Sequence, residues 1–453
     1  MQPLSSSSAP SSSSPSSGVP DPGRGAPSGL WRDADFRRLW AGQTASQLGE
    51  HTTLVVLPLF AVLTLDAGAG QLGVLRAVGQ APILLLSLLA GAWVDRWRTR
   101  TVMVLTDAAR AVALGSAAVA GLLGLLGLPV LFVVAFTVGA LSVLFDVAYQ
   151  ASFVRMVRRE QLVQGNSALE GSRSAAQIGG PALGGALVSL LSAPVATAAG
   201  ALFFAVSFVS LRRIRRPEAV PERVAPVPVR PNSASPERAA PGRGRIREGL
   251  RFVASNAWLR AVCLASAAFQ LSFAATMTVY LLFLPRELQL TGATVGLALA
   301  ATGPGALLGS VLAARLPGRF GHGVVLVSAA VVGNGALLCV PALHGSSTTT
   351  VIAVLAVNFV FGTFSQLVNV TVMSVRQAVT PDGLQGRVAA TITFVGMGFT
   401  PLGSLLGGLL AQEWGLRGGL LVTASGMMLS PVLMAVSPLA RLGRVLPGPR
   451  ECR

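Results

Sequence analysis

The sequence predicts an all-α integral membrane protein, with twelve transmembrane helices in two pseudo-symmetric six-helix bundles. Three observations carry that prediction. Apolar runs of about 20 residues recur along most of the chain, the length a helix needs to cross about 30 Å of hydrocarbon. Only 12% of the residues are charged, against about 25% in soluble domains, and the mean hydropathy is +0.64. A single long polar segment, 212–256, parts the apolar runs six and six.

The elements follow in order. Residues 1–34 are rich in Ser, Pro and Gly and lack the apolar core of a signal peptide, so they predict a disordered cytoplasmic tail. Residues 35–211 form the first bundle, with spans at about 37–65, 70–94, 101–123, 128–153, 163–191 and 194–211. The 212–256 segment contains "RRIRRPEAVPERVAPVPVRPNSASPERAAPGRGRIREG" and reads as a solvated cytoplasmic linker. Residues 257–440 form the second bundle, with spans at about 257–284, 291–314, 323–343, 348–375, 386–412 and 417–439. Residues 441–453 form a second cytoplasmic tail.

Charge sets the orientation. The formal charge of +17 comes from arginine alone, because the sequence contains no lysine. Arginines gather before the first span and after the even-numbered ones, as at Arg37, Arg38, Arg155, Arg158, Arg315, Arg319, Arg376 and Arg387. Arg286 and Arg417 are the exceptions, each following an odd-numbered span. The positive-inside rule then places both termini and the linker in the cytoplasm, with the chain crossing the plasma membrane many times. The same placement uses the basic excess without a nucleic-acid partner.

Several chemistries are excluded. A nucleotide-binding Gly-x-x-x-x-Gly-Lys loop is impossible without lysine, so an ion gradient is the expected energy source. His51, His322 and His344 are far apart, and Cys263, Cys339 and Cys452 have neither metal-site nor disulfide spacing. No enzyme, metal or cofactor is expected.

Two stretches carry more than hydropathy. "LAGAWVDRWRTRTVMVLTD" covers the turn between the second and third spans. Its arginines hold that turn in the cytoplasm. In the pattern Gly91-x-x-x-Asp95-Arg96-x-x-x-Arg100 they can also form a latch, since a carboxylate can cap a neighbouring helix and a guanidinium can grip an acid. In the fifth span "IGGPALGGA" supplies Gly179, Gly180, Pro181, Gly184 and Gly185, small residues for a tight crossing beside a helix-bending proline. The eleventh span repeats the patch as "TPLGSLLGG", and "AFTVGALSVLF" in the fourth resembles "NFVFGTFSQLV" in the tenth. Paired halves of this kind are typical of transporters built around a midplane site.

Gly91, Asp95, Arg96 and Arg100 match the cytoplasmic signature of the major facilitator superfamily, which the sequence resembles over roughly 35–440. Arg98 stands where the signature has glycine, and Thr99 replaces the first of its paired basic residues. The resemblance implies a latch partner low in the fourth helix. Asp146 sits there, and Arg98 or Arg100 is its expected partner. The Gly-Pro patch resembles one associated with exporters of the superfamily. Segments such as "NSALEGSRSAAQIGGPALGG" and "LQGRVAATITFVGMGFTPLGSLLGG" resemble the branch of macrolide-efflux and enterobactin-exporter proteins. The major facilitator fold and secondary active export are implied.

Ionisable residues within spans should face the interior or a partner. Glu50, Asp107 and Glu170 are the proton-coupling candidates; Glu50 has no basic residue three or four positions away on its own helix. Asp107 and Arg110 share a helix face and fit a structural pair, as do Glu170 and Arg173. The cavity candidates are Gln43, Gln270, Tyr280, Gln366 and Asn369. A cavity titratable on one side and neutral on the other suits a small amphiphilic or weakly cationic solute. The expected function is proton-coupled export by a monomer in the lipid bilayer, with a lipid or lysophospholipid carrier as the alternative and a non-transporting receptor behind it.

Overall fold

The computed structural model describes residues 30–94, 97–156, 161–215, 250–381 and 384–445, with backbone alone at 87–94, 154–156, 162 and 163. Among the described residues every regular element is helical. The first six helices are α1 (Ala34–Leu63), α2 (Ala69–Val94), α3 (Thr99–Leu122), α4 (Leu128–Met156), α5 (Leu162–Leu190) and α6 (Ala193–Arg212). Then come α7 (Ala257–Arg286), α8 (Gly292–Ala313), α9 (His322–Leu337) and α10 (Thr348–Val379). The last segment, Gln385–Val436, runs for 52 residues and leaves the helix at Gly415, where φ is 72°. We label its parts before and after that glycine α11 and α12.

By length and hydropathy alone, ten segments qualify as membrane spans. The predicted twelve is not returned directly, for two reasons. The 52-residue segment counts once although it reverses at Gly415, and α5, which carries Glu170 and Arg173, is absent from the ten.

Local chemistry sets the ends. The Asp33 carboxylate accepts from the Asp35 and Phe36 amides at 2.9 and 3.4 Å and starts α1. Asn256 starts α7 in the same way, accepting from Trp258 and Leu259. Both caps show that order extends into segments predicted as tail and linker. Leu30–Arg32 forms a helical turn with Leu30 buried, and residues 250–255 are helical with Val253 buried. Apolar side chains at those positions found a core to join. Residues 1–29, 216–249 and 446–453 lie outside the described set.

Within the spans, hydroxyls turn back on their own helix, as Thr53 does to the Gly49 carbonyl at 2.6 Å and Thr278 to Ala274 at 2.9 Å. Each of these hydroxyls is thereby satisfied within hydrocarbon. The outward surface is apolar, with Val112, Val133, Leu202 and Ile352 all exposed. This is the surface that lipid covers.

The packing is asymmetric along the membrane normal. We call the end bearing Leu30, Arg212 and Val445 the terminal face, and the opposite end the far face. In the far half one continuous apolar core is shared by both bundles, from Val55–Val62 and Leu114 to Met277–Leu284 and Leu420. In the terminal half the core divides. One cluster gathers Leu30, Phe36, Met103 and Leu211, and another gathers Val253, Leu259, Val379 and Leu439. The two bundles are therefore joined at the far face and parted at the terminal face.

Glycines make the join. A Cβ on Gly185 of α5 would lie 2.7 Å from the Gly296 Cα of α8, and one on Gly73 of α2 would lie 3.0 Å from the Gly408 Cα of α11. Such contacts admit no side chain. One sequence offset carries Gly73 to Gly296 and Gly185 to Gly408, so the two crossings are repeats of each other.

Candidate functional site

Among the described residues, two cavities open within this frame. The smaller, about 180 Å³, lies between α1, α2 and α4. Helical periodicity builds its walls: Glu50, Leu54, Leu57 and Pro58 from α1, Arg76, Gly79 and Gln80 from α2, and Ser142 and Asp146 from α4. Glu50 lies in the field of Asp146, Arg110, Arg173 and Asp107. Neither Glu50 nor Asp146 makes an ion pair within 4 Å among the described residues, and the Arg76 Nε is buried without a partner.

Behind Ser142 lies a sealed ionic node. Asp107 and Arg110 of α3 are both fully buried and form an ion pair. Arg110 donates to Ser142 Oγ and to Ser46 Oγ, each at 3.0 Å, and Ser207 of α6 donates to Asp107. The guanidinium lies between the Phe145 and Phe204 rings, at 4.6 and 4.3 Å from their centroids. The node ties α1, α3, α4 and α6 together. With no exposure to either cavity, Asp107 is a structural member of the first bundle rather than a cavity acid.

The latch candidates fare differently. Asp95 and Arg96 lie outside the described residues, and Gly91 is described by backbone alone. Arg98 occupies the N-cap of α3 and is exposed. Arg100 donates to the Leu211 and Arg212 carbonyls at 3.3 and 2.6 Å, capping the end of α6. Asp146 is paired with neither arginine; it faces the small cavity with Glu50. Asp146 is ten residues short of the end of α4, which holds it away from the turn in this conformation.

The helix-crossing motif is two-sided. Gly180 and Gly184 lie against His51, Thr52 and Val56 of α1, and the Thr52 hydroxyl donates to the Gly180 carbonyl at 3.3 Å. Pro181 and Gly185 face α8, where Gly292 and Gly296 meet them. Gly179 is looser, its nearest neighbour Leu48 at 3.9 Å from a built Cβ. Glu170 and Arg173 are exposed on α5, and no ion pair joins them among the described residues, so the predicted pairing is corrected. Solvation on an open face removes the need for it.

The larger cavity, about 510 Å³, is lined mainly by α7, α8, α10 and α11, with Gln177 reaching in from α5. Gln270, Gln366 and Asn369 line it. Tyr280 does not. It is fully buried and bonded to the Asn358 amide, because its helical phase turns it into the shared far core. Gln43 is also buried away from both cavities, with Oε1 unpartnered. Polarity alone suggested both residues, and polarity does not fix which way a helix faces.

The structure adds residues that were not among the site candidates read from the sequence. Arg76 recurs in phase with Gly79 and Gln80 on the cavity face of α2, a periodicity that could have found it. Phe269, Phe273 and Phe361 line the larger cavity. Arg286 and Arg417, the two far-face arginines, both have work. Arg286 bonds the Asp66 carboxylate at 2.6 Å and the Ala67 carbonyl at 3.0 Å, joining the second bundle to the first. Arg417 bonds Glu287 and the Pro341 and Leu343 carbonyls within the second bundle.

Two bundles joined by repeated glycine crossings, each lining a cavity, have counterparts among known proteins. The model of the transmembrane secretion effector family matches residues 26–445. The chain belongs to that family, within the major facilitator superfamily. The multidrug efflux pump Tap of Mycobacterium tuberculosis is 28% identical over 404 residues, covering 83% of this chain and 87% of the pump. The pump of the same name from Mycolicibacterium fortuitum is 27% identical over 421 residues, covering 89% of this chain and 95% of the pump. Among solved structures, a bacterial homologue of the human lysosomal transporter Spinster, inward-facing and occupied, superposes with TM-score 0.69 at 13% identity, covering 92% of this chain and 98% of that one. A bacterial homologue of the iron transporter ferroportin, inward-facing, gives 0.67 at 18% identity, covering 88% and 97%. At such identities these structures share the fold alone. The protein is thus a multi-pass membrane transporter of the major facilitator fold.

Proposed function

We propose that this transporter exports small amphiphilic molecules across the plasma membrane in exchange for protons, by alternating access. The relatives that carry the name multidrug efflux pump support the direction and the cargo class. Arginine placement supports a cytoplasmic terminal face, so the conformation described here faces inward, ready to load cargo.

Proton exchange rests on one observation: Glu50 and Asp146 line one small cavity, beside Arg76, and among the described residues neither acid is held in an ion pair within 4 Å. A carboxylate pair of this kind is costly to carry charged through an occluded state, and protonation removes that cost. Protonation entering from the far side would be released on the terminal side when the bundles part there. Gly91, Asp95, Arg96, Arg98 and Arg100 would hold the terminal face shut in the opposite state, with both termini cytoplasmic and one chain sufficient for a cycle.

Purified protein in liposomes tests this. A pH gradient should drive cargo against its own gradient, and Glu50→Gln should abolish the drive while leaving downhill exchange. Gradient-driven accumulation by the Gln variant at the native rate would remove the coupling assignment.

A further inference from the structure

We propose that the larger cavity is the cargo site and that it takes planar aromatic molecules lacking a fixed positive charge, kept apart from the carboxylate pair. The inference rests on the transport reading and names its substrate class.

The cavity is built for a flat ring. Phe269 and Phe273 are one turn apart on α7, with centroids 5.4 Å apart and planes inclined by 9°. Phe273 stacks in turn on Phe361 of α10 at 5.5 Å and 11°. The three rings form one nearly parallel series across two helices. Phe269 and Phe273 are only half-buried, so the series is left open to the cavity. Offset stacking of one more ring on such a series is favourable. The volume of 510 Å³ suits a small organic molecule.

The polar groups around the rings are neutral. Gln270 and Asn369 make no described hydrogen bond, while Gln366 reaches Ser310 at 3.3 Å. The Ser365 hydroxyl lies on the same wall, buried and without a partner. An orphan hydroxyl beside free amides awaits hydrogen-bonding atoms from a ligand.

The charge balance argues against a cation. Among the described lining residues there is no carboxylate, and the one charged group is Arg376. A fixed cation entering there would lose its hydration and meet an arginine. Phenylalanine faces offer some cation–π attraction, but with no carboxylate among the described lining residues that attraction alone has to offset the lost hydration and the arginine. The acids are elsewhere: the cavity of Glu50 and Asp146 shares no lining residue with the larger one. Proton and cargo therefore communicate through the conformation of the bundles rather than by competing for one carboxylate.

Equilibrium dialysis with the full chain in lipid nanodiscs tests the inference, using phenanthridine and N-methylphenanthridinium, the same ring system without and with fixed charge. Phenanthridine should bind at least about ten-fold more tightly than the cation. Phe273→Leu keeps the apolar volume and removes a ring, and should weaken phenanthridine roughly three- to ten-fold. Gln366→Leu, a second variant on the wall, should weaken it measurably if the first fails to fold. No phenanthridine binding, tighter binding of the cation, or native affinity in both wall variants would each overturn the proposal. Liposome flux separates it from the parent reading. Intact phenanthridine binding without gradient-driven flux removes the transport reading alone, whereas gradient-driven flux of the cation and not of phenanthridine removes this inference alone.

Discussion

Gly185 of α5 and Gly296 of α8 meet backbone to backbone, so that a Cβ built on either falls within 3.0 Å of the Cα of the other. Gly408 and Gly73 make the repeated contact across α11 and α2. These crossings close the far face, and no side chain fits between them. Gly185→Leu should therefore hold the far face apart and reduce transport at least ten-fold. Gly115→Leu is the control, because a Cβ there meets nothing within 4 Å. Transport assays on both, with expression and monodispersity matched, check the expectation.

The Arg286–Asp66 pair spans the same face from loop to helix end. Asp66 is exposed and its backbone has φ of 48°, a conformation that asparagine also tolerates. Asp66→Asn removes the charge and keeps the turn. Exposed pairs contribute little, so the shift toward a far-open state should be only a few-fold and should shrink with added salt. Labelling of a cysteine placed in the far-face crossing reads that shift.

The Asp107–Arg110 node makes the opposite prediction. Arg110→Gln leaves a buried carboxylate without its partner, at a cost of about 3–5 kcal/mol. Thermal melting in detergent should fall sharply. The double replacement Asp107→Leu with Arg110→Met should recover much of the loss, whereas Glu50→Gln should leave melting near the native value.

Much of this was readable in the sequence, and the failures share a cause. The ends of α4, α7 and α10 fall within a few residues of the predicted spans, because the hydropathy contrast at the membrane boundary is steep. The glycine patch was legible because only small residues permit such crossings. What hydropathy cannot give is rotation about the helix axis. Tyr280 looked like a cavity residue and faces the core, whereas Arg76 and Asp146 join Glu50 only once three helices are packed. Arg286 and Arg417 defied the charge rule because hydrogen bonds at the far face, rather than topology, hold them there.

The pH dependence has a definite sign. Protons loaded at the far face should drive export, so acidifying the far side should raise the export rate and acidifying the terminal side should lower it. Asp146→Asn should flatten this response as Glu50→Gln does, because the two acids share one cavity.

The most direct test is a pH jump applied to liposomes containing the native protein or Glu50→Gln, with cargo followed by fluorescence. Accumulation that follows the imposed gradient in the native protein, and only passive equilibration in the variant, is the predicted result. Equal gradient-driven accumulation by both proteins would contradict it.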